Sequence, residues 1–197
     1  MEQTGAVILA AGLSSRMGAY KPLLQIDGVS MIRHVYDTMF SAGAEPIVVI
    51  TGYRHEDIQA HLYGLPVTFV HNPEYAHTQQ LDSLRLGLST LKGRCQRVLI
   101  SPADVPLVSQ ETVDALLRET GDFIRPVYQG KPGHPVVLDL ALLPELERYS
   151  GGGGLRGAIE CSGAVIRDVA VPDGGIALDA DTPQDFEALL RWHKQQT

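Results

Sequence analysis

The chain has 197 residues, a formal net charge of −7 and a hydrophobic content of 44%. This composition supports a full-sized buried core and excludes wholesale disorder. Because an acidic surface does not attract nucleic acid or anionic membranes, we expect neither as a partner. The sequence shows no apolar run long enough to span a membrane and no secretory leader pattern. Two widely separated cysteines, Cys95 and Cys161, favour reduced thiols and a cytoplasmic location.

Strands and helices are predicted to alternate along the chain as far as Gly121. Short apolar runs predict buried strands at residues 6–10, 46–50, 67–70 and 97–101. Apolar residues at helical spacing predict helices at residues 29–40, 55–63, 79–91 and 110–119. Ser109 is the expected N-cap of the last of these helices. This alternation is typical of a three-layer α/β/α fold with a mostly parallel sheet, whose ligands bind beyond the carboxyl ends of the strands.

The pattern is looser after Gly121. Strands are predicted at residues 123–127 and 135–138 with a turn at 129–133 between them, and a flexible loop at 150–154. Thr182 as N-cap and Pro183 at the first helical position predict a terminal helix at residues 183–194. The segments on either side of the loop at 150–154 are too small to fold alone, so we expect residues 1–197 to form a single domain.

A loop of small residues follows the first predicted strand. Its string LAAGLSSRMG, at positions 9–18, matches neither the Walker pattern nor the dinucleotide-binding glycine pattern. Small residues at Ala10, Ala11 and Gly12 leave room for a phosphate to approach the backbone N–H groups. Arg16 and Lys21 add positive charge that suits phosphate. On spacing alone, phosphate binding and an ordinary strand-to-helix turn are both open interpretations.

Three aspartates are candidate metal ligands. Asp104 follows a predicted strand and is flanked by Pro102 and Pro106, which restrict the local backbone. Asp179 and Asp181 alternate just before the terminal helix. Turn capping and helix capping are the alternative roles. Together these side chains offer the hard oxygen ligands that Mg²⁺ prefers.

One histidine is a candidate site residue. His134 stands between a glycine and a predicted strand, so its ring can face the cleft; the alternative is an exposed histidine in a turn. The remaining histidines show no metal-ligand spacing and are interpreted as surface or packing residues. They are His34, His55, His61, His71, His77 and His193.

The loop at positions 9–18, called the glycine loop below, is followed by Lys21. Together they resemble the signature of nucleotidyltransferases with a glycosyltransferase-A-like Rossmann fold, the nucleotide-diphospho-sugar transferase type. More narrowly, they resemble the molybdenum cofactor cytidylyltransferase group, because Ala11 stands where the related guanylyltransferases usually have glycine. Further segments match that group in the same order and extend the resemblance over nearly the whole chain. They are SLRLG at 83–87, PADVP at 102–106, GHPV at 133–136, GLR at 154–156 and DADTP at 179–183.

The resemblance implies transfer of CMP from CTP to molybdopterin, with release of pyrophosphate. It assigns nucleotide binding to Leu9, Ala10, Ala11, Gly12, Arg16, Lys21, Ser83 and Asp104. It assigns catalysis to Arg16, Lys21 and Asp104. It also implies Mg²⁺ or Mn²⁺ on Asp104 and Asp181, with Asp181 preferred to Asp179 by its place in the matched motif. The acceptor would be bound by His134, Arg156 and Asp179.

Two positions depart from the family pattern and bear on the substrate more than on the reaction. Gln80 stands where glycine is frequent, and Gly152 replaces an acid. Two alternatives therefore stay open. One is a nucleotidyltransferase that acts on a sugar phosphate or a methylerythritol-type phosphate. The other is a non-catalytic accessory protein that delivers the cofactor to a molybdenum hydroxylase. The resemblance to the molybdenum cofactor group also implies transient contact with such a hydroxylase.

Overall fold

The computed structural model describes residues 3–13 and 17–196. Its strands are β1 (Thr4–Ala10), β2 (Gln25–Ile26), β3 (Val29–Ser30), β4 (Ile47–Thr51), β5 (Val67–His71), β6 (Arg97–Pro102), β7 (Phe123–Tyr128), β8 (Lys131–Pro132), β9 (Val136–Asp139) and β10 (Ile166–Ala170). Strands β2 and β3 form a small antiparallel pair. The other strands form one sheet in the order β10-β7-β9-β6-β1-β4-β5, with β8 paired to β7.

The sheet is mostly parallel, as predicted. Strands β6, β1, β4 and β5 are parallel neighbours, and β10 is parallel to β7. Strand β9 runs antiparallel to both β6 and β7. In the register of β1 and β6, Leu9 lies opposite Pro102. This register brings the glycine loop after β1 next to the Asp104 turn after β6.

The helices are α1 (Met31–Ser41), α2 (His55–His61), α3 (Gln80–Leu91), α4 (Gln110–Arg118), α5 (Leu143–Arg148), α6 (Gly154–Ser162) and α7 (Pro183–Gln196). Apolar side chains of α1, α2 and α4 pack in one core cluster with one face of the sheet. Those of α3, α5 and α6 pack in a second cluster with the opposite face. The three-layer α/β/α architecture is therefore confirmed.

Strand β1 contributes side chains to both core clusters. Its successive side chains point to opposite faces, so Ala6 and Ile8 pack in the cluster with α1, whereas Val7 packs in the cluster with α3. All three are fully buried. Burial of each larger apolar side chain stabilises the fold by roughly 1.5–3 kcal/mol, which anchors β1 at the centre of the sheet.

Both predicted N-caps are confirmed. Ser109 Oγ accepts a hydrogen bond from Thr112 N at 3.2 Å. Thr182 Oγ1 accepts from Asp185 N at 3.2 Å, and Asp185 Oδ2 accepts from Thr182 N at 2.8 Å, which closes a reciprocal cap at the start of α7. Within the described ranges, none of the helices is long and apolar enough to cross a membrane.

Several predicted boundaries were wrong. Helix α1 begins at Met31 rather than at 29, because Ser30 caps it and pairs with its neighbour in the β2–β3 ribbon. The predicted loop at 150–154 ends earlier, since Gly154 is the first residue of α6. Strand β10 was not predicted, because most of its side chains are exposed and no apolar run marks it.

Candidate functional site

Three predicted site residues from distant parts of the chain meet beyond the carboxyl end of β6. Lys21 Nζ donates hydrogen bonds to Asp181 Oδ1 at 2.6 Å and to Asp104 Oδ2 at 3.3 Å. The Lys21 side chain is 12% exposed, whereas those of Asp104 and Asp181 are 27% and 34% exposed. The ammonium group is thus mostly shielded, while both carboxylates are partly exposed to solvent.

Local packing fixes the backbone that carries Lys21. The preceding residue, Tyr20, is buried, and its hydroxyl donates to the carbonyl oxygen of Tyr53 at 2.7 Å. The guanidinium of Arg54 lies 5.1 Å from the centre of the Tyr20 ring, a cation–π contact. Burial raises the pKa of Tyr20 to about 12, so its hydroxyl keeps its proton at neutral pH. Tyr20 therefore ties the end of the glycine loop to the segment after β4.

The Asp104 turn is held against the same loop. Ala103 N donates to Leu9 O at 2.9 Å, and the Ala103 side chain is buried. Asp179 lies in the same electrostatic environment as Asp104 and Asp181. Burial raises the pKa of Asp179, and the two neighbouring carboxylates raise it further. Burial and the charges of Asp181 and Asp104 thus both oppose ionisation of Asp179.

The donor set around Lys21 fits a hard divalent cation that shares its ligands with a substrate. Within residues 3–13 and 17–196, no group of three or more His, Cys, Asp or Glu side chains is arranged to hold a metal. Mg²⁺ in nucleotide sites commonly uses one or two carboxylates and completes its shell with phosphate oxygens and water. Asp104 and Asp181 supply two carboxylates. Both accept hydrogen bonds from the Lys21 ammonium, so positive charge is stabilised between them.

A small cavity of about 170 Å³ lies beside the glycine loop. Its lining comprises Leu9, Ala11, Gly12, Tyr75, Thr78, Gln79, Gln80 and Ser83. Ala10 differs from its neighbours, because its side chain packs in the core on the α1 face and only its backbone can face a ligand. A side chain at Gly52 would bring its Cβ within 2.6 Å of Ala11 O and 2.7 Å of Tyr75 Cβ. Glycine at this position lets Tyr75 close over the loop.

Ser83 enters this cavity because α3 packs very closely on the sheet. A Cβ at Gly87 would lie 2.8 Å from Ile50 Cδ1 and 3.1 Å from Val7 Cγ1. Only glycine allows that approach without a shift of the helix or its neighbours. Gly87 lies one turn after Ser83 on the same helix. Gly87 therefore helps to place Ser83 at the cavity by allowing α3 to pack closely on the sheet.

A larger cavity of about 450 Å³ adjoins the first and shares Leu9, Gln79 and Gln80 with it. Much of its wall is apolar and comes from Leu81, Leu84, Ile100, Phe123, Val136 and Ile159. Polar side chains at its edge come from His134, Arg125 and Arg156. Gln80, a departure from the family pattern, thus stands between the two cavities.

His134 lines the larger cavity, so the alternative of an exposed turn histidine is wrong. Its backbone N donates to Ile176 O at 2.8 Å, and Gly133 must be glycine because a Cβ there would lie 2.3 Å from that same oxygen. Nδ1 is buried and makes no hydrogen bond with the described residues. Burial lowers the pKa of His134, against the opposing effects of Asp104 and the Ile100 carbonyl. A neutral ring therefore faces the cavity.

The two arginines of the larger cavity differ in how firmly they are held. Arg125 Nε donates to Asp168 Oδ1 at 2.6 Å, and its side chain is 25% exposed. Arg156, the predicted acceptor ligand, is 79% exposed and pairs with Glu160 at 2.8 Å on its own helix. Arg125 is thus a partly buried, ion-paired part of the wall, and Arg156 is an exposed cation at the rim. Arg16 lies outside the described residues, and its assignment stays a prediction.

Sequence reasoning missed Tyr75 and Arg125, which line these cavities, and Asn72, which is buried next to Ser83. Asn72 and Tyr75 follow β5 directly, and the rule that ligands bind beyond strand ends could have found them. Arg125 lies within β7, where a charged residue gives no signal of its own until the neighbouring strand and helix are placed.

The fold and site define a nucleotidyltransferase, and the comparisons agree. The model of the MobA-like NTP transferase domain matches residues 6–168. That match covers most of the chain, which therefore belongs to this family.

Two curated relatives show the range of the family. The molybdenum cofactor cytidylyltransferase of Escherichia coli (strain K12) is 27% identical over 192 residues, which cover 94% of this chain and 95% of that protein. The bifunctional IPC transferase and DIPP synthase of Rubrobacter xylanophilus is 31% identical over an alignment of 239 positions, gaps included, that covers 97% of this chain. The chain spans about half, 53%, of that second relative.

Solved structures give the same fold. Rv0371c from Mycobacterium tuberculosis superposes with a TM-score of 0.84 at 26% identity, covering 96% of this chain and 98% of that one. A complex of Rv0371c with manganese has a TM-score of 0.78 at 25% identity, with the same coverage. A nucleotidyl transferase from Methanothermobacter thermautotroptrophicus has a TM-score of 0.85 at 22% identity and covers 99% of each chain.

Proposed function

We propose that the chain is a cytidylyltransferase that transfers CMP from CTP to the phosphate of a molybdopterin-type cofactor. The observation that carries this proposal is the Lys21–Asp104–Asp181 cluster at the carboxyl end of β6, next to β1, whose Leu9 lines both adjoining cavities. One cavity suits a small base and the other an acceptor with an apolar body. Because both cavities are built on one sheet, we treat residues 1–197 as a single nucleotidyltransferase domain.

The nucleotide is assigned to the smaller cavity and the glycine loop. The backbone at Ala10, Ala11 and Gly12 receives phosphate oxygens, and Arg16 pairs with the outer phosphates. Leu9 and Ser83 face the base from either side of the cavity. Lys21 stabilises the charge that develops on the α-phosphoryl group, since its ammonium is already fixed and poorly exposed.

The transfer is a single in-line displacement. An oxygen of the acceptor phosphate attacks the α-phosphorus, the new P–O bond forms, and the bond to the β-phosphate breaks to release pyrophosphate. This nucleophile is anionic near neutral pH, so the reaction needs no general base. Positioning and charge neutralisation therefore supply the catalysis. When bound by Asp104 and Asp181, Mg²⁺ or Mn²⁺ supplies additional positive charge to the triphosphate.

The larger cavity favours a molybdopterin-type acceptor over the alternatives. Its apolar walls match a fused heterocycle better than the hydroxyl groups of a sugar phosphate, which would lose hydrogen bonds to water there. His134, Arg156 and Asp179 are assigned to the acceptor, with Arg125 as an addition from the structure. The similarity to a molybdenum cofactor cytidylyltransferase extends over almost the full length of both chains, which supports the same acceptor class. A delivery protein for a molybdenum hydroxylase would not need the Lys21 cluster.

Pyrophosphate release tests the proposal. The purified protein is incubated with Mg²⁺ and each of CTP, GTP, ATP and UTP, with and without molybdopterin. We expect release only when both CTP and molybdopterin are present. Release with a sugar phosphate or methylerythritol-type phosphate instead would transfer the assignment to that acceptor. Tight binding of the cofactor without release under any condition would contradict an enzymatic role.

A further inference from the structure

A buried asparagine stands behind the smaller cavity. Asn72 follows β5 and is only 3% exposed. Its Oδ1 accepts a hydrogen bond from the backbone N of Glu74 at 3.0 Å. A backbone N–H can only donate, so the amide oxygen must lie on that side and the amide nitrogen on the other. The orientation of the Asn72 side chain is thus determined by its surroundings.

The amide nitrogen of Asn72 holds two hydroxyl groups. Nδ2 donates to Thr78 Oγ1 and to Ser83 Oγ, each at 2.9 Å. The Thr78 hydroxyl in turn donates to Glu74 O at 2.9 Å, so its proton is already used. Ser83 is buried and lines the cavity, and its hydroxyl donates to no group among the described residues. The Ser83 oxygen therefore accepts from behind, and its proton is directed away from Asn72.

We propose that Asn72 is a positioning residue that fixes the Ser83 hydroxyl as a hydrogen-bond donor toward the nucleotide base. The inference rests on the proposed nucleotide site. A fixed donor selects a base with an acceptor at that place. Cytosine presents two adjacent acceptors, O2 and N3, whereas guanine presents the adjacent donors N1–H and N2–H₂. Asn72 thus contributes to the preference for CTP over GTP without contacting the base.

The physical argument lies in the cost of an unmatched polar group. If the Ser83 hydroxyl faced an N–H group of guanine in this small, shielded cavity, both donors would lack a hydrogen-bond partner. A site built to hydrogen-bond one group therefore discriminates strongly against a ligand that lacks that group. Loss of one such hydrogen bond weakens binding by about tenfold. Reversing the polarity of Ser83 should therefore cost CTP affinity and leave GTP affinity less affected.

Asn72→Asp tests this directly, because aspartate has nearly the same shape but presents an acceptor where Asn72 presents a donor. The Ser83 proton then turns toward the carboxylate, and only a lone pair faces the base. We expect the Kd for CTP with Mg²⁺, measured by calorimetry, to rise about tenfold, and the preference for CTP over GTP to fall. Ser89→Ala removes an exposed hydroxyl on the same helix and serves as the matched control, with unchanged affinity.

A double-mutant cycle separates positioning from a structural role. Ser83→Ala removes the donor itself, so Asn72→Asp should cause no further loss of the preference for CTP over GTP in the Ser83→Ala background, because the added carboxylate charge acts on both triphosphates alike. A further loss there, or wild-type affinity and base preference in the single Asn72→Asp variant, would overturn the inference. If that variant does not fold, Asn72→Ala takes its place: the Ser83 hydroxyl becomes free to rotate, and an unchanged CTP-to-GTP preference would overturn the inference equally. Failure of the wild-type protein to bind CTP at all would instead contradict the proposed function.

Discussion

Lys21 Nζ lies 2.6 Å from Asp181 Oδ1, although the two residues are 160 positions apart in the sequence. The contact joins the segment after the glycine loop to the segment before α7. The same ammonium group also holds Asp104. One ammonium group thus contacts two carboxylates from distant parts of the chain. The cluster therefore places a poorly exposed cation beside two carboxylates that are each about one-third exposed.

Replacing Lys21 with alanine should abolish most of the turnover and leave the fold intact. The side chain supplies preorganised charge for the α-phosphoryl group, and loss of one such group typically lowers kcat by about 100- to 1,000-fold. The measurement is pyrophosphate release at saturating CTP and acceptor, with circular dichroism to confirm folding. Lys92→Ala, at an exposed position after α3, is the matched control and should retain full activity. Normal turnover in Lys21→Ala would contradict the assignment of this site.

Asp104→Asn and Asp181→Asn should each raise the Mg²⁺ concentration needed for half-maximal activity. An amide oxygen carries no net charge and binds a hard cation more weakly than a carboxylate. We expect an increase of about tenfold or more, read from pyrophosphate release across a Mg²⁺ titration. Asp37→Asn, which removes a surface partner of Arg33 on α1, should leave the titration unchanged. Identical Mg²⁺ requirements in all three variants would show that these carboxylates do not hold the metal.

The sequence could predict the elements whose signal is local. Strands β1 and β4 are buried on both faces, so their apolar runs stand out. The glycine loop and Asp104 could be placed at the same edge of the sheet, because both follow predicted parallel strands. Strand β10 could not be found in this way, since Arg167 and Asp168 interrupt it and its edge position leaves most of its side chains in solvent.

The contacts that make the site could not be predicted from spacing. The sequence identifies Lys21 and Asp181 as charged residues. It does not show that they are in contact, because the distance between them depends on how the intervening chain folds. The orientation of Asn72 likewise follows from Glu74 and Thr78, whose hydrogen bonds form only when the turn after β5 has folded. Polar networks of this kind depend on geometry finer than hydrophobic periodicity can supply.

The ion pair between Arg125 and Asp168 should give a small, pH-dependent contribution to stability. The Arg125 guanidinium holds the pKa of Asp168 below its ordinary value of 3.8. The contribution is therefore present at pH values above 3.8 and is lost as the pH falls through the lowered pKa. Because Asp168 is about half exposed, we expect only about 0.5 kcal/mol. Asp168→Asn should lower the thermal midpoint at pH 6, and the difference from wild type should shrink toward pH 3. A difference that grows on acidification would contradict this pairing.

Gly87→Ala should weaken both the fold and nucleotide binding, although alanine is the better helix former by about 1 kcal/mol. The new Cβ would meet Ile50 Cδ1 at 2.8 Å, so α3 or the Ile50 side chain must move. Overpacking of this kind costs about 1–3 kcal/mol, which equals or exceeds the gain in helix propensity. Because Ser83 lies one turn away on the same helix, we also expect a higher Kd for CTP. Chemical denaturation and calorimetry measure the two effects.

Leu86→Ala, at the adjacent position that is 41% exposed, should change CTP affinity little. A Gly87→Ala variant that is more stable than wild type and binds CTP normally would show that the close packing of α3 on the sheet does not position Ser83.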